Sequence, residues 1–559
     1  MNPLNLPPHL SGHEIQALEF GHRRSADEDA YARTGQPVRH AVVVVGAGPV
    51  GLTLAIDLAQ RGQPVLLLDD DRRLSTGSRA ICFAKRTLEI WDRLGVGDAM
   101  VAKGIGWNVG KVFFGAEHVY TFDLLPEPGH ERPAFVNLQQ YYAEAYLVAR
   151  AAALPNVELR FANRVTSLEP RDDCVVLGVE TPDGRYEVIA EQVVACDGSR
   201  SPLRQLMGLE STGRVFRDRF LIADVRMQAD FPTERWFWFD PPFHPNQSVL
   251  LHRQPDDVWR IDFQLGWEAD ADEERKPERI IPRVQALLGA AARGQGDGSP
   301  SPAPSFRLEW ASVYTFACER MERFRHGRVL FAGDAAHRVS PFGARGANSG
   351  VQDADNLGWK LARVLRGASP AALLDSYAAE REFAADENLR HSTRSTDFIT
   401  PKSEVSRLFR DAVLDLAREH AFARRLVNSG RLSTPTTYDG SPLNTPDADA
   451  DWQGAMRPGA PAADAPLVID GRRTWLLREL GPDFTLLAWG AAPRRCAGPG
   501  CKVLALGPGH DVEGWLAKRY DLRPGSAVLL RPDRHVAARW RRPTAAAVED
   551  AVARATATS

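Results

Sequence analysis

The stretch His40 to Asp70, HAVVVVGAGPVGLTLAIDLAQRGQPVLLLDD, decides the fold of the first large part of this chain. Its four valines, Val42 to Val45, predict a strand buried on both faces, and the apolar residues between Leu52 and Ala59 fit a helix packed against that strand. A second apolar strand, Val65 to Leu68, follows and ends at an acid. This order of strand, glycine-rich turn, helix and strand predicts a βαβ unit.

Three glycines in this stretch match the dinucleotide-binding fingerprint. Gly46 fits the tight turn, Gly48 the close approach of the backbone to a pyrophosphate, and Gly51 the packing of the helix on the strand. Pro49 and Val50 occupy the first turn of the predicted helix, whose N-terminus would direct free N–H groups at the phosphates.

Two acids complete the fingerprint. Asp69 lies near the spacing of about 20 residues expected for a carboxylate that bonds a ribose hydroxyl, and we place Asp70 in the same site. The stretch therefore predicts binding of an adenine dinucleotide, with a purely structural turn as the alternative. The fingerprint alone does not select among the dinucleotides.

The composition is that of an ordinary globular protein. The chain has 559 residues, of which 44% are hydrophobic and 25% charged, with a formal net charge of -3. The length suggests about three or four domains. Because the net charge is small, we expect no electrostatic field that would attract nucleic acid or an anionic membrane. No apolar run reaches the ~18 residues of a membrane span, so a cytoplasmic location is expected. The cysteines form no CxxC pair, and no metal site is predicted.

Two later stretches place acids and glycines at the ends of predicted strands. The strand at 191–196 runs into Asp197-Gly198, and the buried strand at 327–332 delivers Asp334, after which a glycine-rich loop opens a helix. A carboxylate at a strand end suits a sugar hydroxyl, and glycines before a helix let backbone N–H groups approach a polar ring edge. Taken alone, the second stretch leaves a structural loop with a helix cap as the alternative.

The segment 216–265 is rich in predicted strands and in aromatic residues. Such a sheet can wall an apolar pocket, although aromatic residues in strands more often form core. The aromatic residues in question are Trp236, Phe237, Trp238, Phe239, Trp259 and Phe263.

These stretches resemble those of the single-component flavoprotein monooxygenases, a group that includes phenol, hydroxyphenylpropionate and polyketide or rifampicin hydroxylases. The resemblance covers roughly Val42 to Ala385 and rests on three motifs in the family's order and spacing: Gly46 to Gly51, Asp197-Gly198 with Ser201 and Arg204, and Gly333 to His337 continuing to Asn348. It implies an α/β fold: a Rossmann-like FAD-binding domain, an inserted mixed β-sheet substrate domain and a C-terminal thioredoxin-like α/β domain.

The resemblance and the composition together give expected domain bounds. These are 1–38 for an N-terminal extension, 39–211 and 305–400 for the FAD-binding domain, 212–304 for the substrate domain, 401–450 for a helical region and linker, and 451–559 for the thioredoxin-like domain. The extension shows no sustained periodicity and is expected to pack on the body or on a neighbouring subunit. Without a CxxC pair the last domain cannot carry out dithiol exchange, so a structural or assembly role is expected.

The resemblance also implies roles for individual residues. It places Asp69 at the adenosine ribose of FAD, Arg79 and Gln140 at the pyrophosphate and ribityl region, and Asp197 in a motif associated with both FAD and the nicotinamide cofactor. The third motif would contact the ribityl or pyrophosphate part and then present backbone to the flavin pyrimidine edge. Its implied cofactor-binding residues are Gly333, Asp334, Pro341, Gly343, Gly346, Ala347 and Asn348.

Arg260 and His337 are the candidate catalytic residues. Arg260 resembles an arginine on the corresponding sheet of the family, and His337, like His252 and Tyr314, is a residue type that can activate a phenol. Phenol hydroxylases carry an aspartate where this chain has Ile81, so that activating role does not transfer directly.

The implied reaction is hydroxylation of a small aromatic, phenolic substrate through a flavin peroxide adduct, with O2 and with NADPH or NADH as transient reductant. The alternatives are an FAD-dependent reductase or dehydrogenase that does not activate oxygen and a non-catalytic flavin-bound assembly protein. Members of the group often dimerise, which makes a homodimer a candidate assembly.

Overall fold

A computed structural model describes residues 10–77, 79–293, 303–427, 432, 434–490 and 501–558. The helices are α1 (Gly12–Gln16), α2 (Ala26–Thr34), α3 (Pro49–Gln60), α4 (Lys85–Leu94), α5 (Gly97–Lys103), α6 (Gln140–Ala152), α7 (Pro202–Leu206), α8 (Ala271–Glu274), α9 (Pro277–Arg293), α10 (Gly346–Leu365), α11 (Leu373–Ile399), α12 (Glu404–Ala417), α13 (Ala421–Val427), α14 (Leu476–Glu479), α15 (Trp515–Tyr520) and α16 (Ala545–Ala555). None of the helices in these ranges has both the length and the apolar character of a membrane span.

The strands are β1 (Val38–Val45), β2 (Val65–Leu68), β3 (Cys82–Ala84), β4 (Ile105–Trp107), β5 (Val109–Phe114), β6 (Glu117–Asp123), β7 (Phe135–Asn137), β8 (Val157–Arg160), β9 (Arg164–Pro170), β10 (Val175–Thr181), β11 (Gly184–Ala195), β12 (Ser211–Arg226), β13 (Arg235–Phe239), β14 (Ser248–Arg253), β15 (Val258–Leu265), β16 (Arg307–Met321), β17 (Arg325–His326), β18 (Val329–Phe331), β19 (His337–Arg338), β20 (Pro466–Ile469), β21 (Arg472–Trp475), β22 (Phe484–Trp489), β23 (Cys501–Leu506), β24 (Ala527–Leu530) and β25 (Val536–Trp540).

The first sheet has a parallel core in the order β18-β11-β1-β2-β8. Val42 to Val45 are buried within it, and α3 packs its apolar residues on that strand, as the sequence predicts. Val45, Ala195 and Phe331 are register partners at the ends of β1, β11 and β18. Because these three strands are adjacent and parallel, the three motifs that follow them meet at one edge of the sheet. The predicted Rossmann-like fold is confirmed.

The second sheet has the order β19-β16-β12-β15-β14-β13-β5-β6. It extends beyond the expected substrate range of 212–304, because β16 pairs along most of β12 and β5 pairs with β13. Both pairings join segments far apart in sequence, and no local pattern signals them. A separate three-stranded sheet has the order β3-β7-β4.

The aromatic residues of the second sheet divide between its two faces. Trp236, Trp238, Trp259 and Phe263 form a core with α9, whereas Phe239 belongs to a different cluster on the other face that includes the loop residue Phe342. Alternation of side chains along a strand causes this division. Of the two alternatives that the sequence leaves open, core and pocket wall, these three tryptophans and Phe263 therefore follow the first.

The N-terminal extension is helical and packs on the first domain. Ser11 and Ser25 form capping boxes with Glu14 and Glu28 at the starts of α1 and α2, a spacing that marks helix starts. Phe20, between the two helices, stacks on Phe161 with ring centroids 4.3 Å apart.

The last domain contains the four-stranded sheet β23-β22-β24-β25. It joins the helices of the first domain through four buried charged side chains, which we call the ionic cluster: Lys360 on α10, Glu380 on α11, and Arg531 and Asp533 between β24 and β25. Arg531 donates to both oxygens of Glu380 at 2.6 and 2.9 Å and to both oxygens of Asp533 at 3.0 and 2.5 Å. Lys360 Nζ donates to Glu380 at 2.7 Å.

Candidate cofactor and substrate site

The glycine loop after β1 has the shape of a phosphate cradle. A Cβ on Gly46 would collide with the backbone of Cys196, and one on Gly51 with the carbonyl oxygen of Gly46, whereas no atom lies within 4 Å of a Cβ placed on Gly48. Gly46 also has a φ of 105°, which favours glycine. The open position at Gly48 therefore faces space that a ligand can fill.

The N-terminus of α3 meets the third motif at this loop. Pro49 is its first residue. The cap residue Gly48 has no side chain that could accept a hydrogen bond from the helix, so the first N–H groups are available to an anion. A Cβ placed on Gly333 or Gly350 would lie 2.9 or 2.6 Å from Cγ2 of Val50. The structure thus brings the predicted residues of the first and third motifs into contact.

Of the two acids after β2, only Asp69 reaches the glycine loop. Its carboxylate accepts hydrogen bonds from the N–H groups of Ala47 at 2.5 Å and Asp71 at 2.8 Å, and desolvation raises its pKa to about 6. The Asp70 side chain is exposed, 3.9 Å from Arg164, so the structure does not bring it to the cradle.

The loop after β2 is fixed to α6. Gln140 accepts a hydrogen bond from the Ala80 N–H at 3.0 Å and donates to Glu144 at 2.7 Å. Glu144 in turn accepts from the Ser75 N–H at 2.7 Å. Arg79 at the end of this loop has an exposed side chain, and in this arrangement Gln140 positions the loop that carries it.

Arg204 ties the second motif to the third. Its guanidinium donates to the carbonyl oxygens of Ala335 at 2.7 Å and Ser199 at 2.8 Å. Asp197 accepts from the Leu203 N–H at 2.9 Å, and its other oxygen is buried with no hydrogen-bond partner in the described part of the chain. Burial raises the pKa of this carboxyl. A buried oxygen without a donor is consistent with a ligand that supplies one.

Asp353 organises the turn at the third motif. It accepts hydrogen bonds from the Gly333 N–H at 2.8 Å and from Arg381 at 2.5 Å, and it pairs with His337 at 2.7 Å. His337 is buried and stacks on Phe324. Asp334 is exposed next to this buried network. The arrangement gives His337 a role in holding the turn rather than in touching substrate.

The loop before α10 is held by the side chain of Asn348. Its oxygen accepts from the Ala84 N–H at 2.8 Å and the Thr87 hydroxyl at 2.7 Å, and its nitrogen donates to the carbonyl oxygens of Cys82 at 2.8 Å and Ala344 at 2.6 Å. The side chain is therefore fully used within the protein, which leaves only backbone to face a ligand.

The rest of this loop has glycine-dependent geometry and an open helix start. Gly343 has a φ of 102°, Pro341 is exposed, and α10 begins at Gly346 with no side-chain cap. A Cβ on Gly346 would have no neighbour closer than 3.7 Å. Gly346 and Ala347 therefore present an accessible helix N-terminus of the kind that favours negative charge.

A group of polar side chains, which we call the sheet cluster, crosses three neighbouring strands of the second sheet: Arg235 on β13, His252 on β14, and Arg260 and Asp262 on β15. Arg260 donates to Asp262 at 2.8 Å and to the carbonyl oxygen of Arg79 at 3.1 Å. His252 lies 3.5 Å from Asp262, and burial lowers its pKa to about 4. The cluster thus contacts the loop that leads to the cradle.

Arg235 is the unusual member of the sheet cluster. It is 5% exposed, yet its Nε and Nη1 atoms have no hydrogen-bond partner among the described residues. Its guanidinium lies 4.8 Å from the ring of Phe237 and 5.8 Å from that of Trp107, and burial lowers its pKa. Sequence reasoning missed Arg235, because the alternation of its strand does not tell which face is turned to a site.

Comparison with known proteins gives a consistent result. A model of the FAD binding domain family matches residues 39–392. A flavin-dependent monooxygenase of Mycobacteroides abscessus is 30% identical over 519 residues, which cover 89% of this chain and 96% of the relative. A 3-(3-hydroxy-phenyl)propionate/3-hydroxycinnamic acid hydroxylase of Burkholderia cenocepacia is 28% identical over 533 residues, which cover 89% of this chain and 94% of the relative.

A solved structure shares the fold. The flavin-dependent monooxygenase PieE, in complex with FAD and substrate, matches with a TM-score of 0.79 at 23% sequence identity. The match covers 94% of this chain and 100% of that one.

Proposed function

This chain belongs to the FAD binding domain family, and we propose that it hydroxylates a phenolic substrate whose carboxylate is bound by Arg235. It is an FAD-dependent aromatic monooxygenase that takes its reducing equivalents from NADH or NADPH. When bound, FAD would accept two electrons from the nicotinamide cofactor and, once reduced, activate O2. The residues of the chain bind, orient and desolvate the reactants.

The cradle fits FAD on observations of the protein itself. The open position at Gly48 and the uncapped start of α3 suit the pyrophosphate, and Asp69 suits the adenosine ribose. The uncapped start of α10 suits an electron-rich ring edge. We assign the remaining contacts of the motifs, those of Arg79 and Asp334, to the same cofactor.

Arg235 carries the substrate assignment. Its buried guanidinium has two nitrogens without a partner in the described part of the chain, which is costly unless an acceptor reaches them. The other arginine of the sheet cluster, Arg260, is already occupied by Asp262, so we expect it to position the Arg79 loop. An arginine fork matches a carboxylate, and a phenolic acid brings that group together with an electron-rich ring.

The test is a matched panel of phenols with and without a carboxylate, offered to the FAD-loaded protein. NAD(P)H consumption, hydroxylated product and hydrogen peroxide are measured together. For the acids, we expect one hydroxylated product for each NAD(P)H consumed. For the neutral phenols, we expect weak coupling, in which much of the NAD(P)H consumed yields hydrogen peroxide instead of product. Equal coupling for acids and neutral phenols would overturn the Arg235 assignment, and consumption that yields only peroxide with every compound would overturn the aromatic hydroxylation.

Two variants make the test specific. Arg235→Met should raise KM for the acid by about 10- to 100-fold, since a hydrogen bond to a charged group contributes roughly 1.5–3 kcal/mol, and should leave KM for the neutral phenol unchanged. Arg253→Met is the matched control, because Arg253 is on the neighbouring strand and lies over Trp259, which packs with α9 on the opposite face.

A further inference from the structure

His22 lies where the N-terminal extension crosses the hairpin of β10 and β11. Its side chain is 7% exposed, and neither ring nitrogen has a hydrogen-bond partner in the described part of the chain. A buried imidazole with two unpartnered nitrogens is rare in folded proteins, because desolvation of polar atoms costs free energy that a partner normally returns. A group that binds a ring nitrogen of His22 would therefore stabilise this arrangement.

Two carboxylate oxygens flank the Nε2 atom of His22. Oε1 of Glu28 lies 3.2 Å away and Oδ2 of Asp183 lies 3.5 Å away, yet neither accepts a hydrogen bond from the ring. The three ligand atoms lie within 4.8 Å of one another. They come from α2, the segment before it, and the turn between β10 and β11, so the site joins two parts of the chain.

The spacings match the edges of a small coordination polyhedron. Zinc binds histidine nitrogen and carboxylate oxygen at about 2.0–2.2 Å, and in a tetrahedron these bond lengths place neighbouring ligand atoms roughly 3.3–3.6 Å apart. The two distances from His22 Nε2 fall close to that range. In such a site the lone pair of Nε2 points at the cation, and the carboxylate oxygens bound to the same cation lie to the side of that direction. The oxygens are therefore close to Nε2 without a hydrogen bond to it.

The surrounding groups hold Glu28 in place for this role. Its Oε2 accepts from the N–H of Ser25 at 2.7 Å and from the Ser25 hydroxyl at 2.9 Å, which leaves Oε1 directed at His22. The Thr181 hydroxyl lies 3.1 Å from Oε1. Hydrogen bonds to a ligating carboxylate are the usual outer support of a metal site.

We propose that His22, Glu28 and Asp183 bind a divalent cation of the zinc type, with water completing the coordination. Asp183 is 45% exposed, which gives the ion a path from solvent. The sequence does not predict this site, because His22 and Asp183 lie in distant segments of the chain and no cysteine takes part.

The cation would fasten the extension to the first domain. The same extension holds the loop after β2: Gln16 accepts from the Gly77 N–H at 3.0 Å, and the Phe20 N–H donates to the carbonyl oxygen of Arg72 at 2.7 Å. A bound ion at His22 would therefore limit the motion of the N-terminal extension, which contacts the loop after β2.

The experiment uses full-length protein without a histidine tag, stripped with chelator and titrated with ZnCl2 by calorimetry, with metal content measured after gel filtration. We expect one zinc per chain, a raised melting temperature, and slower proteolysis of the extension. Co2+ in place of zinc should give the visible absorption bands of a tetrahedral site.

Variants separate this site from adventitious binding. His22→Ala and Asp183→Asn should each weaken zinc binding by about 100-fold or more, since even outer-shell changes cost 10- to 100-fold, whereas His13→Ala, an exposed histidine of the same extension, should not. If the stripped protein takes up no zinc, or if His22→Ala, folded by circular dichroism, binds it as tightly as the parent, His22 is only a structural neighbour of Glu28 and Asp183 and the proposal is wrong.

Discussion

Two buried polar clusters of this protein differ in how completely their members are paired. In the ionic cluster, every nitrogen and oxygen of Lys360, Glu380, Arg531 and Asp533 that is buried has a hydrogen-bond partner. In the sheet cluster, two nitrogens of Arg235 and one of His252 have no hydrogen-bond partner among the residues that the structure describes. Burial of charge is tolerated in the first case because the partners are built into the fold.

The difference separates structural from ligand-binding groups. Removal of one partner from a satisfied network leaves an uncompensated buried charge, whereas removal of a group that has no protein partner leaves none. Replacement of an arginine in the ionic cluster should therefore lower the stability of the fold. Replacement of Arg235 in the sheet cluster should weaken substrate binding and change stability little.

Arg531→Met is expected to give the largest effect. It would leave Glu380 and Asp533 buried with reduced compensation, and loss of one partner of a buried ion pair costs about 3–5 kcal/mol. Urea unfolding of the FAD-free protein, followed by tryptophan fluorescence, measures the change. Arg235→Met in the sheet cluster is the control and should change the free energy of unfolding by less than ~1 kcal/mol. Similar losses for the two variants would remove the distinction.

The glycine loop offers the same contrast on a smaller scale. Gly51→Ala would press a methyl group against the carbonyl oxygen of Gly46 and should destabilise the FAD-free protein by about 1–3 kcal/mol. Gly48→Ala has open space and an ordinary φ of -73°, so its stability should stay within ~0.5 kcal/mol of the parent while FAD affinity falls. Flavin fluorescence titration beside urea unfolding measures both; unchanged FAD affinity in Gly48→Ala would show that the cradle is not the phosphate site.

The smallest effect concerns pH and Asp69. Its pKa of about 6 in the folded chain exceeds the ordinary value of 3.8, so between these values the folded state holds the proton more tightly, and this carboxyl's contribution to stability falls as pH rises through that window. FAD that needs the carboxylate should bind more weakly below pH 6, by up to about tenfold per pH unit.

Equilibrium dialysis of FAD between pH 5 and 8 checks the Asp69 prediction. Asp69→Asn should remove the pH dependence that begins near pH 6 and weaken binding at pH 8. A slope that persists in the Asn variant would assign the titration to another group.

Local patterns predicted the parts of the fold that depend on local geometry. The turn at Gly46 and the packing at Gly51 follow from a strand, a turn and a helix in direct succession, and the structure has each of them. The capping boxes at Ser11 and Ser25 are equally local, but the extension has too little hydrophobic periodicity for its sequence to predict helices there.

Long-range pairing set the limit of the sequence analysis. Nothing near β16 indicates that it pairs with β12, and the alternation of β13 leaves open which face is turned to the first domain. Arg235 and His22 are buried by contacts between distant segments, so the sequence does not show that their nitrogens lack a hydrogen-bond partner within the described ranges. The roles of Arg79, Asp334 and Arg260 toward FAD and substrate stay predictions.

The ionic cluster also has a consequence for the order of synthesis. Arg531 follows its partner Glu380 by 151 residues, so during translation the charges on α10 and α11 emerge long before the hairpin that compensates them. We expect the flavin-binding half of a nascent chain to remain loosely packed until that hairpin has left the ribosome, and a polypeptide interrupted before Arg531 to be recognised by chaperones and proteases rather than to accumulate as a folded flavoprotein.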